Sequence, residues 1–500
     1  MKKYLLHFLF LFPTILFAQT ADEAYKFGPA FNNTKGFSYP DMYIHPEHNT
    51  FSFANPSIVI SVRILGDPLH QTIKIQRYDQ KNLTELSNNQ YTDFPKSAKV
   101  QGFSKTATAL YLLYSTYAGG EFYVRQIDIT TGVMGESKLL FNGPEMSYIY
   151  NHGEIVKSMF KISTSLDSSK VLISYTLKGK NSTIEAGYRV FSNSMEKIWE
   201  GVIKMPYTES MMTKFGSTVS NKGEVYQLIL SKATKKFEIL IIKSPTDVKI
   251  GKLEISTELD VFSGFINETK TGNFSCTGLY GMGYQNSIIQ GMLRFQVDAA
   301  MKTVYSTKVV FDETFIKAIG PVKVNVDASK NIEVKNRGVL YLKLFQVTEC
   351  ADGTSLIITE QQNFVSFSSE DIVIIKIDKT GNVSWMVKIP RSIKAIEEWG
   401  EFYIDQESIY ALFMDNPKNA ASTEKPVSYS PVDQGDFVSY KINITTGAFS
   451  KQIVFSTKDQ DVSAVNSIMD DLVAIGGRKF ITTVLTKKGT QTRVLKLQVK

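Results

Sequence analysis

A chain of 500 residues with 56 Lys and Arg against 49 Asp and Glu carries a formal charge of +7. Its 43% hydrophobic and 21% charged residues describe a folded protein, excluding a disordered one, and the small positive balance forms no long basic run that would point to nucleic acid. The length exceeds one ordinary core of roughly 100–200 residues, so the chain is a repeat array, a large barrel or several domains.

At the N-terminus, Lys2 and Lys3 precede the apolar stretch Tyr4–Phe17, and small Ala18 precedes Gln19. That is the three-part pattern of a secretory signal, with cleavage expected after Ala18. The stretch falls short of the roughly 18 residues that a membrane span needs, and no other segment is long and apolar enough to cross. No Cys follows it to take a lipid anchor. The expected product is therefore exported, periplasmic or extracellular, with no transmembrane segment.

Residues 19–57 read as an N-terminal lead. In it, His45-Pro-Glu-His48 brings two imidazoles and Glu47 together, a set that can hold zinc. Pro46 opposes a helix presenting both rings on one face, and no fourth ligand can be named. A solvated pair is the favoured reading, and neither a metal nor another cofactor is expected. His70 and His152 lie in polar loops and read as surface residues.

From residue 58 onward one hairpin recurs. Its copies are Ile58–Ile64 with Thr72–Tyr78, Leu110–Tyr114 with Phe122–Ile127, and Val171–Thr176 with Ala186–Phe191. Glu224–Leu230 with Phe237–Lys243 follows, then Phe274–Tyr280 with Gly291–Val297 and Ser355–Thr359 with Asp371–Ile377. The last are Ile409–Phe413 with Phe437–Ile442, and Phe480–Leu485 with Arg493–Val499. These runs are rich in Ile, Val, Tyr and Phe, as strands packed on a sheet face should be. Asp128, Asp378 and Asn443 each open a tight turn closed by Gly132, Gly381 or Gly447, where a side-chain oxygen caps the turn and Gly takes positive φ.

A further strand follows several of these turns (Val202–Met205, Trp385–Ile389, Lys451–Phe455), and another can precede a hairpin. Four short strands per unit of roughly 50–65 residues is the arithmetic of a β-propeller blade. The chain is expected to be all-β, a propeller of eight four-stranded blades, with seven as the alternative. The eighth unit ends at Lys500 after its third strand, so a strand from Tyr25–Ser57 is expected to supply the fourth and close the ring. The competing arrangement is two smaller β-domains divided within Asp312–Gly338. Cys276 and Cys350 fall in different repeats and read as two small buried residues rather than a bridge.

Ser165–Ser174 resembles the strand–turn–strand signature of TolB-like and WD40-like propeller repeats. Gly353–Asn419 resembles a family of uncharacterised secreted bacterial proteins. It carries acid-Gly, an apolar run, Glu360-Gln361, Asp-Ile-Val-Ile, Asp378 through Trp385, Lys388–Pro390 and Phe413-Met-Asp-Asn-Pro-Lys-Asn419. The resemblance implies a secreted propeller and implies no activity.

The common catalytic signatures are missing: no Gly-x-Ser-x-Gly, no phosphate loop, no His-Glu-x-x-His and no Cys-x-x-Cys. Two carboxylates alone can still cleave a glycoside. Glu360 and Asp415 lie just past the first strand of their hairpins in consecutive units, so both face the same rim of a propeller. Either they converge on a pocket, or each caps its own strand end. The connections Gln361–Glu370 and Asn416–Asp436 are the long ones, the second bearing Pro417, Pro426, Tyr429, Pro431 and Asp433. Long loops on a rigid scaffold commonly carry recognition. Trp199 and Trp385 sit at similar places in their units and read as packing between blades; Trp399 breaks the pattern. Glu360, Asp415, Asn416, Tyr429 and Asp433 are therefore the candidate contact residues of a non-catalytic propeller binding an envelope protein or glycan. A carbohydrate-active enzyme using loop-face carboxylates is the alternative.

Overall fold

The computed structural model describes residues 25–32, 50–55, 57–65, 71–95, 98–105, 109–116, 120–142, 160–178, 183–256, 260–282, 288–311, 339–340, 342–350, 352–363, 368–394, 401–420, 426–430, 434–458, 462, 473–485 and 491–499. Within them the strands form eight antiparallel sheets set in a ring, with almost no helix. The N-terminal strand is β1 (Tyr25–Asn32). The first sheet is β2 (Thr50–Ala54), β3 (Ile58–Leu65), β4 (Thr72–Asp79) and β5 (Glu85–Tyr91). The second is β6 (Ala98–Lys105), β7 (Leu110–Thr116), β8 (Glu121–Ile127) and β9 (Lys138–Asn142). The third is β10 (Lys161–Thr164), β11 (Lys170–Lys178), β12 (Thr183–Ser192) and β13 (Lys197–Thr208). The fourth is β14 (Met212–Val219), β15 (Val225–Ser231), β16 (Lys236–Ser244) and β17 (Asp247–Ser256).

The fifth is β18 (Asp260–Glu268), β19 (Phe274–Met282), β20 (Ile288–Val297) and β21 (Thr303–Val310), with short β22 (Val339–Leu340) pairing β20. The sixth is β23 (Leu342–Glu349), β24 (Ser355–Asn363), β25 (Ser368–Ile377) and β26 (Val383–Ile389). The seventh is β27 (Glu401–Ile404), β28 (Ser408–Asp415), β29 (Asp436–Asn443) and β30 (Phe449–Ser456). The last contains β31 (Val473–Gly476), β32 (Lys479–Leu485) and β33 (Gln491–Gln498), and β1 pairs antiparallel to β33 as its fourth strand. Each recurring hairpin read from the sequence is the second and third strand of one sheet. The first sheet also takes in β2, which lies inside the segment read as a lead.

The burial pattern explains why those hairpins were legible. Every residue of β7 and β15 is buried, because both faces of a middle strand pack on neighbouring blades. Outermost β5 instead alternates between exposed and partly buried residues. Apolar clusters fill the junctions between consecutive sheets. One holds Ile60, Ile73, Leu110 and Leu112 between the first two, and another holds Leu279, Met292, Leu344 and Ile357 between the fifth and sixth. That second cluster spans the place where a division into two domains was conceivable, and the ring is continuous there. Val59, Tyr78, Ile481 and Val494 join the last sheet to the first.

Turns on one face of the ring stitch the blades together. Asp128, Asp378 and Asn443 accept from backbone N–H groups two to four residues on, at 2.7–3.0 Å. The Trp385 indole donates to Ile444 O of the next blade at 3.1 Å, and the Trp199 indole donates likewise to Gly223 O at 2.8 Å. Gly447, at φ 73°, lies flat on the Trp385 ring, where a Cβ would stand 2.9 Å from Cδ2. Gly447→Ala therefore meets both a left-handed backbone and a rigid indole, and is expected to cost about 1–3 kcal/mol in thermal unfolding. A loss below roughly 0.5 kcal/mol would show the turn to be looser than this packing requires.

Both cysteines are free thiols, Cys276 buried on β19 and Cys350 half-buried in the turn after β23. Burial pushes the Cys276 thiol far up from its ordinary range. In native protein Cys276 is expected to resist a thiol-specific disulfide reagent that labels both cysteines after unfolding. Rapid native labelling of Cys276 would contradict its place in the core.

Candidate functional site

The face opposite the stitched turns carries the connections within the hairpins and between sheets. Three of its segments lie together where the sixth and seventh blades meet. Ile393 bridges antiparallel to Ser369, at the start of β25, and parallel to Tyr429, inside the long connection from β28 to β29. Backbone bonds of 2.8–2.9 Å hold Ile393 to Ser369, Tyr429 N to Ser392 O and Lys394 N to Tyr429 O. The Ser392 and Ser428 hydroxyls meet at 2.7 Å. The long connection is thus an ordered ribbon at this point, built onto the rim by main-chain bonding.

Beneath the ribbon, the acids singled out in the sequence are both buried and both paired. Glu360, 4% exposed on β24, accepts a hydrogen bond from Arg391 Nη2. The Arg391 side chain also donates from Nε to Glu370 O at 3.1 Å, and its backbone N donates to Asp371 at 3.2 Å. Burial raises the Asp371 carboxyl above the usual carboxylate range, opposed by the Lys388 ammonium 3.2 Å away.

Asp415, 2% exposed at the end of β28, accepts from Lys451 Nζ of β30 at 2.6 Å. Its other oxygen accepts from Asn416 N at 2.8 Å and Asn419 Nδ2 at 2.6 Å. Asn419 holds the loop a second time, donating to Val427 O at 2.9 Å and accepting from Val427 N at 2.7 Å. The Asn416 side chain caps the short turn Pro417–Asn419 through Lys418 N and donates to Ser428 O at 3.0 Å.

One stack of side chains joins the two ion pairs. Arg391 lies over the Phe413 ring at 5.7 Å, Phe413 stacks on Tyr440 at 5.5 Å, and Lys451 lies over Tyr440 at 5.5 Å. The order Glu360, Arg391, Phe413, Tyr440, Lys451, Asp415 runs across the junction between blades. Burial, with the charges of Asp415 and Asp371, drives the Tyr440 hydroxyl far up. Two cations facing a ring pair, each closed by a carboxylate, make a rigid polar brace inside an apolar interface.

Of the sequence-derived candidates, Asp415, Asn416 and Tyr429 come together in this brace and ribbon, and Glu360 joins them through Arg391. Tyr429 is 1% exposed, and Gly435 lies against its ring. Asp433, Trp399, His45, His48, His70 and His152 lie outside the described residues. Among the described residues, the exposed side chains here are Pro417, Lys418, Val427, Lys394 and Gln434, with Val427 45% exposed. Sequence reasoning missed Arg391, Asn419 and Lys451, although an Arg inside Ile389-Pro-Arg-Ser-Ile393 is a charge in an apolar setting that signals a buried partner. Among the described residues there is no cluster of three or more metal-ligating side chains, and no helix is long and apolar enough to cross a membrane.

No protein-family model matches the chain, and no curated protein matches it. Among solved structures it is similar to a prolyl endopeptidase at 11% identity and TM-score 0.40, covering 88% of this chain and 55% of that one. The chain thus spans about half the length of that enzyme. It is similar to the WD40 domain of SCAP from fission yeast at 9% identity and TM-score 0.39, covering 90% and 96% of the two chains. It is also similar to TolB from Acinetobacter baumannii at 10% identity and TM-score 0.28, covering 88% and 80%. The likeness is one of fold, a ring of four-stranded antiparallel blades, and says nothing of activity.

Proposed function

We propose that this chain is an exported, non-catalytic propeller that binds a protein or glycan at the cell envelope through the rim between its sixth and seventh blades. The brace beneath that rim carries the proposal. A long connection pinned by Asp415, Asn419 and Tyr429 presents Pro417, Lys418 and Val427 in one conformation, so little ordering entropy is lost on binding. Glycoside cleavage needs one carboxyl to donate a proton and another to reach the sugar. Glu360 and Asp415 are instead each covered and held by a cation, which favours a supporting role for both.

Export follows from the N-terminal pattern of Lys2, Lys3 and the apolar stretch to Phe17. The test is crosslinked affinity capture from native envelopes, comparing the parent protein with Lys418→Glu/Val427→Asp. Both side chains are exposed, so the brace stays intact. A stoichiometric partner recovered by the parent and reduced about tenfold or more in the variant is the expected result. Equal recovery by both would place the binding surface elsewhere.

A further inference from the structure

The net charge of the chain is concentrated in its last sheet. Residues 472–500 hold seven Lys and Arg and no Asp or Glu, which leaves 49 Lys and Arg against 49 Asp and Glu in the rest of the chain. On the side of the seventh blade, Arg478 is met by Asp405 at 3.0 Å and Glu407 at 3.3 Å. On the other side, the acid-free hairpin of β32 and β33 faces further cations.

In the first sheet, Val59, Ser61 and Arg63 of β3 lie directly opposite Tyr78, Gln76 and Lys74 of β4, so the six share one sheet face. Val59 and Tyr78 pack with Ile481 and Val494, which turns this face toward the last sheet. Above that apolar contact, toward the long-connection face, the junction becomes polar. Ser61, Gln76, Arg63 and Lys74 are between 0% and 8% exposed. Ser61 Oγ and Gln76 Oε1 meet no hydrogen-bond partner. Among the described residues Lys74 makes no hydrogen bond or ion pair. The carboxylate whose charge reaches it, exposed Glu85, accepts from Gln76 Nε2 at 2.6 Å. Burial, then the charge of Arg63, holds the Lys74 ammonium below its ordinary range.

Other enclosed cations are closed within the fold. Arg125 has Asp93, Arg391 has Glu360, and Lys376 donates to Ile444 O. Arg294 has no acid, yet donates to the Thr277 and Ser355 hydroxyls. Two buried cations placed directly across a ladder repel, and that cost is offset when an anion joins them.

We infer that Lys74, Arg63 and the Ser61 hydroxyl form a site for an oxyanion group, a carboxylate, sulfate or phosphate, of a ligand that enters the junction between the last and first blades from the long-connection face. The ammonium and guanidinium supply charge, and the Ser61 hydroxyl has a proton to donate. The acid-free hairpin opposite adds a positive field that draws an anion toward the cleft. The seventh and last blades separate this site from the rim described above, and the assignment does not depend on that rim.

The test is isothermal titration of the full chain at fixed ionic strength with sodium sulfate, inorganic phosphate or galacturonate in separate arms. The variants are Lys74→Gln and Ser61→Ala, with Lys249→Gln on outermost β17 as control. Saturable binding is expected in at least one arm, weakened about tenfold by Lys74→Gln, about threefold by Ser61→Ala, and unchanged by the control. The strongest arm identifies the chemical source of the anion. Ser61→Ala is a small change that keeps the charges in place, so it reports on the site whatever Lys74→Gln does to folding. In chloride buffer, Lys74→Met is also expected to melt at or above the parent temperature and to lose the rise in melting temperature that the bound anion gives the parent. No saturable binding in any arm, or affinities within about twofold of the parent in both site variants, would overturn the assignment. None of these probes needs the rim, so a failed partner capture leaves this result standing, and the reverse holds as well.

Discussion

Replacing Arg391 with methionine is expected to lower the stability of this protein by about 3–5 kcal/mol, the cost of leaving a buried carboxylate without its cation. Glu360 would remain 4% exposed with its guanidinium partner gone, and the Phe413 face would lose the cation above it. The double variant Arg391→Met/Glu360→Leu should recover much of that loss, because it removes both charges together and leaves apolar volume at an apolar junction. Urea unfolding followed by tryptophan fluorescence would report both values, with Trp385 on the adjoining outer strand as a local probe. If Arg391→Met alone costs less than about 1 kcal/mol, the pair is solvated and the brace contributes little.

Starting the chain at Asn33 instead of Gln19 is expected to be still more damaging. It removes β1 and its six paired positions from Tyr25↔Leu497 to Asn32↔Gln491. At about 0.5–1.5 kcal/mol per hydrogen bond, with roughly one bond per paired position, the loss is about 3–9 kcal/mol. The Tyr25 contact with Phe455, at 5.6 Å between ring centroids, goes with it. The truncated chain would also leave β33 as an exposed edge, so concentration-dependent aggregation is expected alongside a lower melting temperature. Light scattering and calorimetry on the two chains give the comparison. Equal melting temperatures would mean that the ring does not depend on the N-terminal strand.

How much of this was legible in the sequence follows from where each interaction lies. The hairpins could be read because the second and third strands of a blade are buried on both faces, so Leu110–Tyr114 and Ser355–Thr359 announce themselves by composition alone. The turns at Asp128, Asp378 and Asn443 could be read because their hydrogen bonds close within a few residues. Innermost strands such as β10 and β27 are short, half-buried and mixed in character, and so gave no clear signal.

The site shows the same division. Glu360 and Asp415 were recognisable as acids at strand ends, yet their partners lie far along the chain. Arg391 follows Glu360 by 31 residues, and Lys451 follows Asp415 by 36. No local pattern links them; only the register of neighbouring strands does. Tyr429 looked like a contact-making side chain because it sits in a polar, Pro-rich loop, but main-chain bonding to Ser392 and Lys394 turns its ring inward. The exposed positions, Lys418 and Val427, are what that inward packing leaves at the surface.

The central claim is that this rim is where a partner is met. Site-specific photocrosslinking from position 427 in intact cells tests it most directly, with position 304 on outermost β21, 53% exposed, as the comparison. A discrete crosslinked product from 427 and none from 304 is the result this account expects. Products from 304 alone, or from neither position, would contradict it.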